Sequence, residues 1–537
     1  MNTRQAQLER LKREAFDLLV IGGGATGAGI ALDAASRGLK VALVERDDFA
    51  AGTSSRSTKL IHGGVRYLEQ AVKRLDRVQF NLVRDALHER RILLRIAPHL
   101  ARPLPLVTPL YRVWEAPYYW SGLKLYDLLA GRAGIGWSRF LPRHEALRRF
   151  PILRPEGLVG GVLYYDGQFD DARMNLAIVL TALQHGAVAV NHAEVTALLK
   201  REGRVRGATV RDRITGEAFE VTAAVVINAT GPFADEVRRL DDPDAPPILR
   251  VSSGVHLVLD ARFSPPDTGL LIPRTEDGRV LFVLPWLGHT LVGTTDEPAT
   301  PDPHPPVREE EVEYLLRHVN RYFNLEVTRA DIKARWSGLR PLVARPQEAD
   351  TARLARDHVI LESPSGLLTI TGGKWTTYRK MAEDAVTHAV RRAGLTPQGP
   401  CRTAALPLVG AARFDPSGAA RLAEAFDLAP DVAAHLHHAY GDQAERVAAL
   451  AGEGYGARLA PGHPYLEAEV VWAAREELAV RALDVLARRT RLAFLDRNAA
   501  CEALERVVEL LAAELGWDAA RRETETRWAQ ARLERAL

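Results

Sequence analysis

The segment Gly22-Gly23-Gly24-Ala25-Thr26-Gly27 constrains this chain more than any other, because it carries G-x-G-x-x-G at Gly22, Gly24 and Gly27. Ahead of it, residues 16–21 (FDLLVI) are apolar without alternation, which predicts a buried parallel strand. Behind it, residues 25–37 read as a helix ending near Gly38, and residues 39–45 (LKVALVE) as a second strand. In such a βαβ unit the glycines serve the tight turn, close backbone approach to a pyrophosphate, and close helix–strand packing. The helix N-terminus then offers N–H groups and the positive end of its dipole to phosphate. Glu45 follows Gly22 by 23 residues, where a carboxylate accepts hydrogen bonds from a ribose 2′-OH and disfavours a 2′-phosphate. NAD and FAD share this fingerprint, so it predicts a doubly wound α/β dinucleotide domain without choosing between them.

The rest of the chain is organised around that unit. Residues 4–14 read as a short charged helix, and 68–97 show helical spacing. Residues 98–125, rich in Pro, Tyr and Trp, read as a packed loop region. Strand signals recur at 159–165, 187–211, 218–228, 279–285, 289–295 and 359–370, with a helix at 170–185 that opens on Asp170. From about 401 the pattern changes, and 420–537 is Ala, Leu, Arg and Glu at helical spacing with no strand. A length of 537 residues suits about three domains or one large fold with an appendage. Lys+Arg 71 against Asp+Glu 68 leaves +3, which argues against a dedicated nucleic-acid binder. Two cysteines exclude a disulfide framework and a Cys-rich metal cluster. No apolar run is long enough to span a bilayer, and the N-terminus lacks a signal-peptide core, so the chain reads as cytoplasmic.

Three further elements point to the chemistry. Residues 53–67 (TSSRSTKLIHGGVRY) suggest backbone lying against a planar, polar-edged cofactor. Residues 223–231 (AAVVINATG) are a buried strand entering a small-residue turn. Gly372-Gly373-Lys374 marks a late strand–turn–helix that brings one cation to a helix start, and lysines are scarce, 9 against 62 arginines.

Several stretches carry a family resemblance: 17–69, 163–175 (LYYDGQFDDARMN), 227–235 (INATGPFAD), 292–298 (VGTTDEP), 336–342 (WSGLRPL), 371–383 (TGGKWTTYRKMAE) and the helical 467–494. Together they resemble the FAD-dependent, quinone-linked glycerol-3-phosphate dehydrogenases of the D-amino-acid-oxidase-like flavoproteins. The resemblance implies oxidation of sn-glycerol 3-phosphate to dihydroxyacetone phosphate, with electrons passed to a membrane quinone in glycerol catabolism. A glycerol-3-phosphate oxidase that uses O2 and makes H2O2 is the alternative. An amine- or amino-acid-oxidising flavoenzyme and a non-catalytic flavin binder are more distant ones.

The resemblance also implies an architecture and a site. An FAD-dependent oxidoreductase domain spans 1–400, with FAD-binding segments near 17–75, 222–250 and 355–395 and a mainly antiparallel substrate domain between them. A helical domain spans 401–537. FAD is expected to be held without a covalent bond, by Gly22, Gly24, Thr26, Gly27, Glu45, Arg46, Thr53, Ser54, Ser55, Ser57, Lys59, Leu60, His62, Gly63, Gly64, Ala229, Gly231, Gly373, Lys374 and Thr376. The substrate phosphate calls for cations, and Arg66, Tyr67, Arg340, Arg356 and Lys374 are its expected partners, with Arg340 on a strand-end loop. Arg340, His256 and Lys374 are the expected catalytic residues, His256 as proton acceptor or hydroxyl partner. Asp170, Asp171 and Arg173 suit a helix cap with an ion pair. No metal is expected, and His435, His437 and His438 read as a solvated helix face. A homodimer and contact with a membrane surface stay open, the latter through the basic residues Arg4, Arg10, Lys12 and Arg13 or through residues 111–120, which otherwise read as packed core.

Overall fold

The computed structural model describes residues 3–64, 77–273, 275–344 and 358–535. The apolar run Phe16–Ile21 becomes the central strand of an eight-stranded sheet. It pairs in parallel with Val41–Val44 on one side and Ala218–Asn228 on the other, and Val188–Val190 and Leu368–Gly372 extend the parallel core. Ala193–Arg201 and Arg204–Asp212 form a hairpin against the extended strand Ala218–Asn228. Helices Ala25–Ser36, Asp171–Gln184 and Tyr378–Ala393 bury their apolar faces on this sheet, in one core that includes Leu18, Val20, Ile30, Leu176 and Val386. The side chain of Asp170 caps Asp171–Gln184 by accepting from the N–H groups of Ala172 and Arg173.

A second, ten-stranded sheet is antiparallel except where Gly269–Ile272 pairs with Ala101–Leu110. Its longest ladder joins Leu249–Leu259 to Ile332–Val343. Arg340 therefore lies on a strand and not on a strand-end loop. Residues 98–125 are also more regular than their composition indicates: Ala101–Leu110 is a strand and Glu115–Ala130 a helix. Pro103, Pro105 and Pro109 share one parity along that strand, so they withdraw donors from a single edge and leave the other to the ladder with Gly160–Phe169.

Beyond residue 401 every long element is a helix, from Gly418–Phe426 to Ala519–Glu534. This segment shares a core with the second sheet: Trp286, Ala334 and Trp336 pack with Leu486, Phe494 and Leu504. Buried ion pairs tie it to the first sheet as well, Arg173 to Glu477 at 2.8 Å and Arg491 to Asp171 at 3.3 Å. Of the three histidines 435, 437 and 438, expected on a solvated face, only His438 is exposed. His435 Nε2 meets Glu469 at 2.8 Å, and buried His437 stacks on Phe414 while its Nε2 meets the Asp415 carbonyl. The basic N-terminal helix Arg4–Arg13 is spoken for too. Arg4 is buried on Asp212 at 2.6 Å, Lys12 pairs with Glu217, and Arg10 pairs with Glu14.

Candidate active site

One cavity of about 730 Å³ opens at the C-terminal ends of the parallel strands and runs on between the two sheets. At its first end Gly22 adopts φ +107°, and a Cβ there would lie 2.7 Å from the Ala229 carbonyl oxygen. A Cβ on Gly27 would lie 1.8 Å from the Gly22 carbonyl, so the helix can approach the strand only through glycine. Gly24 precedes the helix in extended conformation with no side chain to cap it, and the Ala25 N–H donates to Ser54 Oγ at 2.9 Å. The result is a bare backbone cradle at a helix N-terminus, which fits a pyrophosphate. Glu45 accepts the N–H groups of Gly23 at 2.6 Å and Asp47 at 2.8 Å. Burial and the charge of Asp47 raise its pKa, against those two hydrogen bonds.

Segment 53–64 divides into cavity wall and anchor. Thr53, Ser54, Ser57 and Thr58 line the cavity, as do Gly22, Gly24, Thr26, Arg46, Ala229, Gly231, Gly373 and Lys374. Ser55 and Lys59 sit behind it: Lys59 Nζ is fully buried, 2.8 Å from both Asp171 and the Ser55 carbonyl, and faces Trp336. Burial brings its pKa down to about 7, against the charge of Asp171. Gly27, Leu60, His62, Gly63, Gly64 and Thr376 are not in the wall either. The His62 ring lies 2.9 Å from Asp166 and the His62 backbone N–H donates to Thr376 Oγ1, while Gly63 packs on Tyr126 and Leu60–Ile61 pairs with Gly167 and Gln168. Burial would raise the Asp166 pKa, but the facing charges of His62 and Arg90 hold it below its ordinary value.

At the second end Arg340 and His256 come from neighbouring strands, whose register sets Ser252 opposite Arg340 and Gly254 opposite Gly338. The Arg340 guanidinium donates to the carbonyls of Ser253 and Thr295, both at 3.0 Å, to Thr294 Oγ1 at 3.2 Å, and to Asp296 at 3.2 Å. A Cβ on Gly254 would stand 2.4 Å from that guanidinium. His256 stacks on Trp336 with centroids 4.1 Å apart, and its Nε2 lies 2.9 Å from Thr58 Oγ1. Burial, then the charges of Lys59 and Arg340, hold its pKa well below the ordinary value, so the ring is neutral. Lys374 enters the same cavity from the turn before Tyr378–Ala393. Arg66, Tyr67 and Arg356 lie outside the described residues.

Part of the wall lies outside the residues expected to hold the cofactor or the substrate. Arg481, Arg488, Phe494, Trp528 and Arg532 reach the cavity from the helical segment, and buried Arg56 joins them. Burial, then the charge of Arg488, lower the Arg56 pKa to about 10. Nothing near 480–532 marks a site; only long-range packing brings these side chains in.

Residues 17–379 match the FAD dependent oxidoreductase family, and 401–522 match the C-terminal domain of alpha-glycerophosphate oxidase. The chain is 52% identical to the mitochondrial glycerol-3-phosphate dehydrogenase of Macaca fascicularis, over 96% of this chain and 73% of that one. It is 49% identical to the mitochondrial glycerol-3-phosphate dehydrogenase of Arabidopsis thaliana, over 97% of this chain and 86% of that one. Among solved structures, the glycerol-3-phosphate dehydrogenase of Bacillus halodurans complexed with FAD superimposes with a TM-score of 0.81 at 31% identity, covering 100% of this chain and 98% of that one.

Proposed function

The chain belongs to the FAD-dependent glycerol-3-phosphate dehydrogenases, and we propose that it passes electrons from C2 of sn-glycerol 3-phosphate to a membrane quinone. The observation that carries this reading is one cavity lined by the glycine cradle and by Arg340, His256 and Lys374. FAD, when bound, supplies the two-electron acceptor for the hydrogen on C2. The chain's own residues orient the substrate and manage its charge. Arg340 and Lys374 face the phosphate dianion and the oxygen on which negative charge develops. His256, neutral and fixed by its stack on Trp336, takes the hydroxyl proton.

The test is anaerobic mixing of the yellow holoprotein with glycerol 3-phosphate while flavin absorbance is followed. Rapid bleaching that glycerol and amino acids do not cause is expected; no bleaching in FAD-loaded protein overturns the reading. Readmitting a quinone analogue or O2 then identifies the acceptor: reoxidation by quinone and not by O2 is the expected result.

The His256 assignment makes a pH prediction. The neutral imidazole is the active form, so activity falls as pH falls through its pKa. The acid limb of kcat/KM due to this group should lie below the ordinary histidine value of 6.5. His256→Gln should cut turnover by about 10²–10⁴-fold and remove that limb. An unmoved limb in the variant means that another group titrates.

For the membrane we propose docking through the surface around Glu115–Ala130. Among the described residues, six of the eleven exposed large apolar side chains fall between 113 and 140: Val113, Trp114, Trp120, Leu128, Trp137 and Phe140. Exposed Arg112 and Arg139 flank them, Arg139 paired with Glu145, while Glu115 accepts the N–H groups of Tyr111 and Arg112 and Asp127 that of Ser138. Tryptophan with flanking arginine suits an anionic bilayer interface. No helix among the described residues is long and apolar enough to cross a membrane. Replacing Trp114, Trp120 and Trp137 together by serine should weaken sedimentation with phosphatidylglycerol vesicles by at least about tenfold, a loss of only ~1.4 kcal/mol. Turnover with a soluble acceptor should stay unchanged; unaltered vesicle binding would discard this surface.

A further inference from the structure

A group of side chains away from the cavity wall has the composition of a metal site, although no local ligand spacing marks one. His289 begins the strand His289–Gly293 of the second sheet, His463 lies in the loop before Glu467–Glu476, and Asp496 precedes Arg497–Leu515. One donor atom from each lies within 4.8 Å of the other two. Each residue is arranged to present that atom. His289 Nδ1 is 3.1 Å from the Leu287 carbonyl, which can only accept, so Nδ1 carries the proton and Nε2 offers its lone pair. Asp496 spends Oδ1 on the N–H groups of Asn498 and Ala499, which leaves Oδ2 turned to the histidines. His463 is 8% exposed, and its ring lies nearly parallel to that of His289, with centroids 5.7 Å apart. Its Nε2 stands 4.0 Å from Asp496 Oδ2, too far for a hydrogen bond.

We propose that His289, His463 and Asp496 bind one divalent transition-metal ion, with zinc best suited, and that the ion clamps the helical segment onto the second sheet. Two imidazoles and one carboxylate with a fourth position open form an established zinc donor set. Tetrahedral zinc sets donors about 3.4 Å apart, so donors that now lie within 4.8 Å of one another must close by up to about 1.4 Å. Lys333 Nζ, also 4.0 Å from Asp496 Oδ2, belongs to a partly exposed side chain that can turn away, and Glu502 adds negative charge nearby. The other cluster of this kind, Asp48, His192 and Asp484, does not qualify, because Arg488 and Arg489 already occupy its carboxylates.

The test uses FAD-loaded full-length protein, stripped with chelator and titrated with zinc chloride by calorimetry. A Cys501→Ser background is used, since an exposed thiol such as that of Cys501 would compete for zinc. One-to-one saturable binding and a raised Tm are expected. Asp496→Asn keeps a helix-capping side chain but removes the charged ligand, and should weaken binding by at least about tenfold. His289→Ala with His463→Ala should abolish binding, with retained flavin absorbance reporting the fold. No stoichiometric binding, or binding unchanged in Asp496→Asn, overturns the proposal.

Discussion

Arg340→Ala is expected to lower the rate of substrate-dependent flavin bleaching by about 10²–10³-fold while FAD stays bound, the size of effect seen when one preorganised charge-stabilising donor is lost. The guanidinium is always charged, and its surroundings keep it in place more than they neutralise it. It rests on the Ser253 and Thr295 carbonyls and on Thr294 Oγ1, and Asp296 meets it through a single contact at 3.2 Å. Asp296 is also engaged by Ser252 Oγ at 2.6 Å, so it is not left unpartnered when the guanidinium goes. These partners of Arg340 belong to the second sheet and its connecting loops, and the glycine cradle belongs to the first, so the cofactor should survive the change. Arg340→Lys should recover only part of the loss, because an ammonium cannot reproduce the planar fork. Gly254→Ala probes the same point without removing charge, since its Cβ would stand 2.4 Å from the guanidinium and displace it. A misplacement of that order costs about 10²-fold when alignment matters. The measurement is the single-turnover bleaching rate at saturating glycerol 3-phosphate, with the flavin-to-protein absorbance ratio recorded beside it. A rate within a few-fold of the parent protein would remove Arg340 from the reaction.

What was legible in the sequence follows from the range of the forces involved. The βαβ start, the hairpin strands and the helical tail rest on local periodicity and on glycine, and they stand where the sequence placed them. Around Arg340, Gly338 and Pro341 are residue types that suit a turn, yet the segment is a strand. In the ladder Gly338 faces Gly254, and a Cβ there would meet the Arg56 carbonyl at 2.8 Å, so that glycine serves a close backbone approach within a strand. Periodicity reports that a face is apolar but not whether anything covers it. Hence Trp114 and Trp120, read as core, are exposed, while His437, read as solvated, is buried. The contributions of Arg488 and Phe494 to the cavity wall arise from tertiary packing across hundreds of residues, and no local spacing encodes that.

The largest structural effect is expected at Gly27. Gly27→Ala should yield protein that retains less than about a tenth of the parent's FAD, a loss of ~1.4 kcal/mol or more in cofactor binding. The added Cβ would sit 1.8 Å from the Gly22 carbonyl oxygen, and that atom is backbone, so no side-chain rotation relieves the clash. Gly22 cannot retreat. It is held at φ +107°, its own Cβ position is closed by the Ala229 carbonyl at 2.7 Å, and its N–H is bonded to the Val44 carbonyl at 2.8 Å. The helix Ala25–Ser36 must therefore lift from the sheet at its first turn, where the cradle for phosphate lies. The same helix packs closely further along as well, because a Cβ on Gly29 would stand 2.8 Å from the Tyr378 ring. Overpacking of this kind costs about 1–3 kcal/mol or more, against a total stability of roughly 5–15 kcal/mol. The fold should thus persist at a lower Tm while the cofactor is lost. Gly122→Ala is the contrasting change: a Cβ there meets nothing within 4 Å, and its helical position should gain about 0.5–1 kcal/mol. Re-titration of both variants with FAD, followed by absorbance and Tm, separates the two effects. Stoichiometric FAD in Gly27→Ala would mean that the helix start does not carry the phosphates, and the cradle would have to be sought among the hydroxyls of residues 53–58.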